Sequence, residues 1–293
     1  MKEVGIKRRC FLKFSGLAFA STAANCFFGL RPGFAAEGRT PWRNKAMLND
    51  TAKCIGCLSC ATACKKANSL PDPYKYSLET DAETWTTVKF KKAADNRVLN
   101  VKMQCMHCTT PSCAGICPTG AARVTEGGVV VIDQEVCIGC KNCVVACPFN
   151  VPGFSEETGT ARKCIFCKGR LEKGLIPACA EACPAGAIEF GNRSDLLTKA
   201  TNRVNELINR GYQNAQVYGI DQLGGLKVLY VLPEAPEALG LPRSPKLANG
   251  DSVLKWATGI LTAGVLAVAP LRSIFQERAG DGGSKPEGRV KIT

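Results

Sequence analysis

Tight groups of cysteine govern what this chain can fold around. The most constraining stretch is Cys137-Ile-Gly-Cys140-Lys-Asn-Cys143-Val-Val-Ala-Cys147-Pro148, which reads C-x2-C-x2-C-x3-C-P. That is ligand spacing for [4Fe–4S] clusters. Three cysteines at two-residue gaps wrap three corners of one small core. The fourth follows a longer gap, points away and ligates the other cluster of a pair. Pro148 lacks a backbone N–H and turns the chain after that ligand.

Sixteen of the eighteen cysteines fall into four such quartets. They are Cys54, Cys57, Cys60 and Cys64; Cys105, Cys108, Cys113 and Cys117; Cys137, Cys140, Cys143 and Cys147; and Cys164, Cys167, Cys179 and Cys183. Cys10 and Cys26 stand apart, near the N-terminus. Disulfide frameworks belong mostly to short secreted domains with scattered cysteines, and tight C-x2-C steps suit metal better. Zinc is the competing metal, but its knuckles usually set two pairs apart by a longer spacer. Two runs of three closely stepped cysteines, with Cys-Pro closing three of the four quartets, favour iron–sulfur clusters.

The formal net charge of +13 invites a nucleic-acid reading, but most of it has another account. Residues 1–35 hold six basic residues and one acidic one. An oxidised cluster with four thiolates carries about −2, so four offset about 8 charges. The mature, loaded chain is then close to neutral. No basic stripe interleaved with aromatics appears, so nucleic acid is not an expected partner. Lys53, Lys65, Lys66, Lys141 and Lys163 lie close to the quartets in sequence. They are either a solvated face or counter-charge for the clusters.

Residues 1–35 read as a twin-arginine signal peptide. Lys7-Arg8-Arg9-Cys10-Phe11-Leu12-Lys13 is followed by a mildly apolar run from Leu17 to Leu30, then Gly33-Phe34-Ala35 before a cleavage point after Ala35, with Ala36 the other option. This route exports folded proteins, which suits clusters inserted before export. The expected location is therefore the periplasmic face of the cytoplasmic membrane.

Between the first two quartets lies a long insertion. Thr84 to Phe90 and Val98 to Met103 read as paired strands across a turn at Asp95-Asn96. His107, the single histidine, sits inside the second quartet and reads as a loop residue that packs or hydrogen-bonds at a cluster edge. Gly127 to Asp133 reads as a short strand after a turn, and Cys147 to Pro152 as extended loop. Cys117-Pro-Thr-Gly-Ala121 recurs as Cys183-Pro-Ala-Gly-Ala187, which argues for a duplicated two-cluster module.

Beyond the quartets, Ser194 reads as an N-cap, with a helix from Leu196 to Ile208 and Gly211 to close it. Leu226 to Leu232 reads as a strand, and residues 233–252 as a proline-rich surface linker. Trp256 to Leu271 carries no charge over 16 residues. With Ile274 and Phe275 it reaches the span of about 20 that a membrane helix needs. The boundaries read from sequence are a signal peptide at 1–35, a four-cluster domain at 36–190 and a helix, strand and linker at 191–252. A transmembrane anchor at 253–275 and a tail at 276–293 follow. The fold class is α+β, with duplicated two-cluster bacterial ferredoxin-like modules, inserted strands and one C-terminal transmembrane helix.

No nucleophile motif, nucleotide loop or second cofactor signature is visible, so the chain reads as a non-catalytic relay. A free polyferredoxin carrier is the alternative from another class. At this point a family resemblance is plain. Residues 45–275 resemble the four-cluster iron–sulfur subunits of membrane-bound formate dehydrogenases and periplasmic [NiFe] hydrogenases. Supporting stretches are Gln104-Cys105-Met106-His107-Cys108, Arg210-Gly211-Tyr212, Gly224-Gly225, Leu229 to Leu232 and Lys255-Trp256.

The resemblance implies four [4Fe–4S] clusters with crossed ligation. One takes Cys54, Cys57, Cys60 and Cys183, and another takes Cys64, Cys164, Cys167 and Cys179. A third takes Cys105, Cys108, Cys113 and Cys147, and the last takes Cys117, Cys137, Cys140 and Cys143. It implies a catalytic partner, a molybdopterin or nickel–iron subunit, and a membrane cytochrome b that passes electrons to quinone. The signal departs from most formate dehydrogenase subunits of this type, which keeps the hydrogenase reading in play.

Overall fold

Val228 to Leu232 is buried at every residue, on both faces, and marks the centre of the fold. A strand buried on both sides reads as a continuous apolar run rather than an alternation. The computed structural model describes residues 40–93 and 96–247. The expected signal peptide, transmembrane span and tail lie outside the described residues. Among those described, no helix is long and apolar enough to cross a membrane.

In chain order, β1 (Lys45–Asp50) leads into the first quartet, and α1 (Ser59–Ala67) carries Cys60 and Cys64. The insertion forms a hairpin of β2 (Thr86–Lys92) and β3 (Val98–Gln104), in register from Thr86 opposite Gln104 to Lys92 opposite Val98. Then come α2 (Ser112–Gly115), β4 (Ala122–Val124), β5 (Val130–Ile132) and α3 (Asn142–Val145). Next are β6 (Gly153–Ser155), β7 (Thr160–Arg162), α4 (Lys168–Leu171) and α5 (Ala178–Glu181). The chain continues through β8 (Ile188–Asn192), α6 (Arg193–Asn209), β9 (Gln216–Tyr218) and β10 (Val228–Leu232).

The main sheet has four strands in the order β8-β1-β10-β9. β1 runs parallel to β10 and antiparallel to β8. Parallel neighbours need a long crossover, and here the entire cysteine region is the crossover. α6 covers one face with Leu196, Ala200, Val204 and Leu207, packed on Ala46, Leu48, Leu229 and Val231. The other face, with Met47, Val228 and Tyr230, joins a second core that includes Cys60, Cys105 and Cys179. One sheet therefore has a largely aliphatic side without cysteine and a side that faces thiols.

Several local details differ from expectation. The helix begins at Arg193 with Asn192 as its N-cap, two residues before Ser194, and the Asn192 Nδ2 donates to the Asp195 carboxylate at 3.0 Å. The stretch after Leu232 does not simply trace the surface. Pro236–Leu239 forms a 3-10 turn, Leu239 and Leu241 are buried, and the Tyr218 hydroxyl donates to the Pro242 carbonyl at 2.8 Å. Two apolar side chains outweigh the prolines there. The loop expected after Cys147 runs into β6, which pairs with β7 over three residues on each strand.

Candidate metal centres

The first C-x2-C step of each quartet bends the same way. The third residue of all four steps, Gly56, His107, Gly139 and Phe166, lies in the left-handed region, at φ of 73°, 47°, 70° and 57°. That bend turns both thiols of a step toward one side. Gly139 has no room for a side chain: a Cβ there would meet the Gly159 carbonyl oxygen at 2.3 Å. His107 and Phe166 tolerate the conformation because each is buried against the other, edge to face at 4.9 Å between ring centroids.

A second alternation separates the quartets into two kinds. In the first and third, the residue after the second cysteine, Leu58 or Lys141, is also left-handed, and a helix starts there with the third cysteine in its first turn. In the second and fourth, a proline starts that helix, Pro111 for α2 and Pro177 for α5. Both then end in a matching turn, where the Gly120 and Gly186 N–H groups donate to the Cys117 and Cys183 carbonyls at 3.3 and 3.2 Å. α1 packs on α5, and α2 packs on α3. The first quartet is thereby brought to the fourth, and the second to the third.

All sixteen cysteines of the described residues are free thiols. Cys54, Cys57, Cys60 and Cys183 line one small cavity, whose remaining lining includes Val88, Ala187 and Ile188. A second small cavity is lined by Cys117, Cys137, Cys140 and Cys143 with Ala121, Ile132 and Ala161. Cys64 lies within electrostatic reach of Cys164, Cys179 and Cys167. Cys108 lies within reach of Cys105, Cys147 and Cys113. Three further neighbourhoods join these sets end to end: Cys60 with Cys179, Cys164 with Cys105, and Cys113 with Cys143.

This donor chemistry fits cubanes. Among the described residues, no three His, Cys, Asp or Glu side chains converge as closely as one metal ion requires. At two of the sets, four thiols instead line one mainly apolar cavity. Burial pushes the thiols of Cys60, Cys113 and Cys164 up to about 12 and that of Cys143 to about 11. Iron bound there would displace protons from these thiols and supply the charge that stabilises the thiolates. Cys117 is the contrary case. Burial raises it, but the Ala122 N–H, at 3.4 Å from its sulfur, and further donors around Thr119 outweigh burial and hold it below the ordinary thiol value.

The lysines near the quartets divide on inspection. Lys53, Lys66 and Lys141 are exposed at their tips, with Asp50, the Tyr74 hydroxyl and Glu156 as partners. Lys65 is buried and donates to the carbonyls of Pro71, Asp72 and Lys75, so it organises the start of the insertion. Lys163 is buried beside the second quartet and donates to the Val130 and Cys164 carbonyls. His107 accepts the Val130 N–H on Nδ1 at 3.1 Å, and burial holds the ring well below its ordinary pKa, so it is neutral with the proton on Nε2. Sequence reasoning missed Lys102, which lines the Cys54, Cys57, Cys60 and Cys183 cavity. Its only signal was a lysine between Val101 and Met103 in a strand, a pattern that ordinarily marks a solvent face.

Comparisons with known proteins agree with this chemistry. The 4Fe-4S dicluster domain family matches residues 97–193. The nitrate-inducible formate dehydrogenase iron–sulfur subunit of Escherichia coli K12 is 38% identical, over 74% of this chain and 79% of its own length. The formate dehydrogenase-O iron–sulfur subunit of the same organism is 35% identical, over 84% and 86%. The hydrogenase-2 operon protein HybA of Escherichia coli O157:H7 is 33% identical, over 74% and 78%. With a ferredoxin-like 4Fe–4S region of mixed helix and strand and matches over most of its length, this chain belongs to the family of formate dehydrogenase iron–sulfur subunits and their hydrogenase-2 counterpart.

Proposed function

We propose that this chain is the electron-transfer subunit of a membrane-bound oxidoreductase of the formate dehydrogenase type. It relays electrons from a catalytic molybdopterin subunit to a membrane cytochrome b and quinone. The sixteen cysteines hold four [4Fe–4S] clusters in the crossed sets given above, on two related modules produced by duplication. Such clusters accept and donate single electrons with little rearrangement. The rest of the function belongs to this chain's own residues, which fix the order of the sets and insulate them.

The observation that carries the proposal is the end-to-end adjacency of the four sets. Cys60 beside Cys179, Cys164 beside Cys105 and Cys113 beside Cys143 make one unbranched path. Seven of the sixteen cysteines on that path are buried and seven half-buried, while Cys57 at one end and Cys140 at the other are exposed. Each exposed cysteine lies two residues from an exposed isoleucine, Ile55 at 65% and Ile138 at 66%. Apolar surface at both ends fits docking to two different partners. The repeated left-handed third residue and the two kinds of helix start support the duplication.

Export by the twin-arginine route and a single anchor at 253–275 complete the proposal and fix the periplasmic side of the membrane as its location. Fusing residues 245–280 to a reporter tests the anchor, and a reporter left in the soluble fraction argues for a free carrier. The principal test is anaerobic purification of the tagged full-length chain from membranes, with metal analysis and identification of co-purifying chains. A molybdenum or tungsten protein with formate activity is the expected result. A nickel protein moves the assignment to a hydrogenase, the reading that the HybA relationship supports. Zinc in place of iron removes the basis for electron transfer.

A further inference from the structure

Three lysines are buried among the described residues, and two of them have obvious partners. Lys65 is held by three backbone carbonyls, and Lys163 by two. Lys102 is 2% exposed, and its ammonium has no hydrogen-bond partner. Burying a charge without a partner is strongly unfavourable. A fold retains such a group only where something opposes that cost. The charged neighbours of Lys102 are thiols from two different sets: Cys60 from one, Cys179, Cys164 and Cys64 from the next.

Its placement is fixed by the backbone. The Lys102 carbonyl accepts the Tyr230 hydroxyl at 2.8 Å, which ties β3 to the centre of the main sheet. Two residues earlier on the same strand, Asn100 Nδ2 donates to the Cys54 carbonyl at 2.7 Å and ties β3 to the first ligand loop. The side chain between these ties lines the cavity of Cys54, Cys57, Cys60 and Cys183. β3 belongs to the hairpin inserted between the first two quartets, so the insertion delivers a cation to this half of the molecule.

We infer that Lys102 is a tuning residue that places a fixed positive charge between the first two cysteine sets and raises the reduction potentials of the clusters they hold. The inference rests on the proposed relay. Adding an electron beside a buried cation is favoured, and low polarizability around the cation lets the effect reach both sets. The third and fourth sets receive no such charge from Lys102. Its charge acts on the two sets beside the insertion, while the buried cation nearest Cys113 and Cys147 of the third set is Lys163.

The test is a redox titration of the full-length, iron-loaded chain, followed by electron paramagnetic resonance, on the wild type and on Lys102→Met, Lys102→Gln and Lys102→Arg. Wild type is expected to hold about sixteen iron atoms in four clusters. Fewer than four clusters sinks the relay reading itself, and the inference with it, before any variant is compared. In the Met and Gln variants, two of the four midpoints are expected to fall by at least about tenfold in reduction equilibrium, about 59 mV for one electron. The Arg variant keeps the charge and is expected to restore both. Unmoved midpoints in either iron-replete neutral variant overturn the inference. So does an equal fall of all four, or the same fall in the Arg variant. Loss of iron in both neutral variants, with iron retained in the Arg variant, also overturns it and leaves Lys102 an assembly residue.

Discussion

The face of the main sheet under α6 and the region around β4, β5 and α3 are both buried cores, yet they are built from different materials. The first joins Ala46, Leu48, Leu196, Ala200, Val204, Leu207, Leu229 and Val231, with no cysteine among them. The second joins Ala121, Ala122, Val130, Ile132 and Ala161 to Cys113 and Cys143, with Cys117 and Cys137 packed against it. Its strands are three residues long and its helices four. Elements that short bury too little apolar area to offset the entropy of ordering them. One region is held by side chains, and the other by what its thiols hold. The difference shows how a chain can spend little on secondary structure where a metal core supplies the crosslinks.

Iron removal is the largest perturbation that separates the two regions. Amide exchange across residues 113–161 is expected to lose protection by orders of magnitude once the chain is stripped of iron, because those backbone bonds open without the crosslinks. Residues 45–50 and 226–232 are expected to keep most of theirs. Hydrogen–deuterium exchange with mass spectrometry on loaded and stripped chain checks this. A uniform loss across both regions breaks the comparison and makes the whole chain a single metal-dependent unit.

The same division decided what could be read from the sequence. The four quartets and the Cys-Pro-x-Gly-Ala repeat were visible because cluster ligation imposes fixed spacings on local segments. Strands β2, β3, β5 and β10 and helix α6 were visible through their periodicity or β-branched content. β1 was not, because Lys45–Asp50 is a short strand whose register depends on β10, some 180 residues away: Met47 opposite Val228 through Asp50 opposite Val231. β6 and β7 were not visible because three residues carry no periodicity. Lys102 was missed for a related reason: alternation in a strand shows two faces but does not show that both are covered.

Single substitutions sharpen the contrast at a smaller scale. Cys143→Ser is expected to remove about one cluster's worth of iron, about four atoms per chain, with a local loss of order around α3. Leu207→Ala, in the aliphatic core, is expected to leave iron content unchanged and to cost about 2–5 kcal/mol in unfolding free energy. Iron assays and denaturant titrations on the two proteins provide the readout. Iron loss in Leu207→Ala shows that the sheet positions the ligands directly, which the two-material picture does not allow.

The smallest expected effect lies where the two materials meet. Asp50 ends β1, four residues before Cys54, and its side chain is almost fully buried. One carboxylate oxygen accepts the Ala52 and Lys53 N–H groups at 2.9 and 3.2 Å, which shapes the turn into the first ligand loop. The other accepts Arg203 Nε of α6 at 2.9 Å. Asp50→Asn keeps an oxygen for the turn and loses the charged pair, for an expected cost of about 1 kcal/mol, since Arg203 also has Glu206. Asp50→Ala loses both and is expected to cost about 2 kcal/mol. Iron content is expected to hold in each variant, because the conformation of the first ligand loop is also fixed by Gly56 and by the Asn100 tie to Cys54. If Asp50→Ala alone sheds the iron of the first set, the turn at Asp50 is part of the ligand scaffold. The boundary between side-chain core and thiol core then moves from Cys54 back into β1.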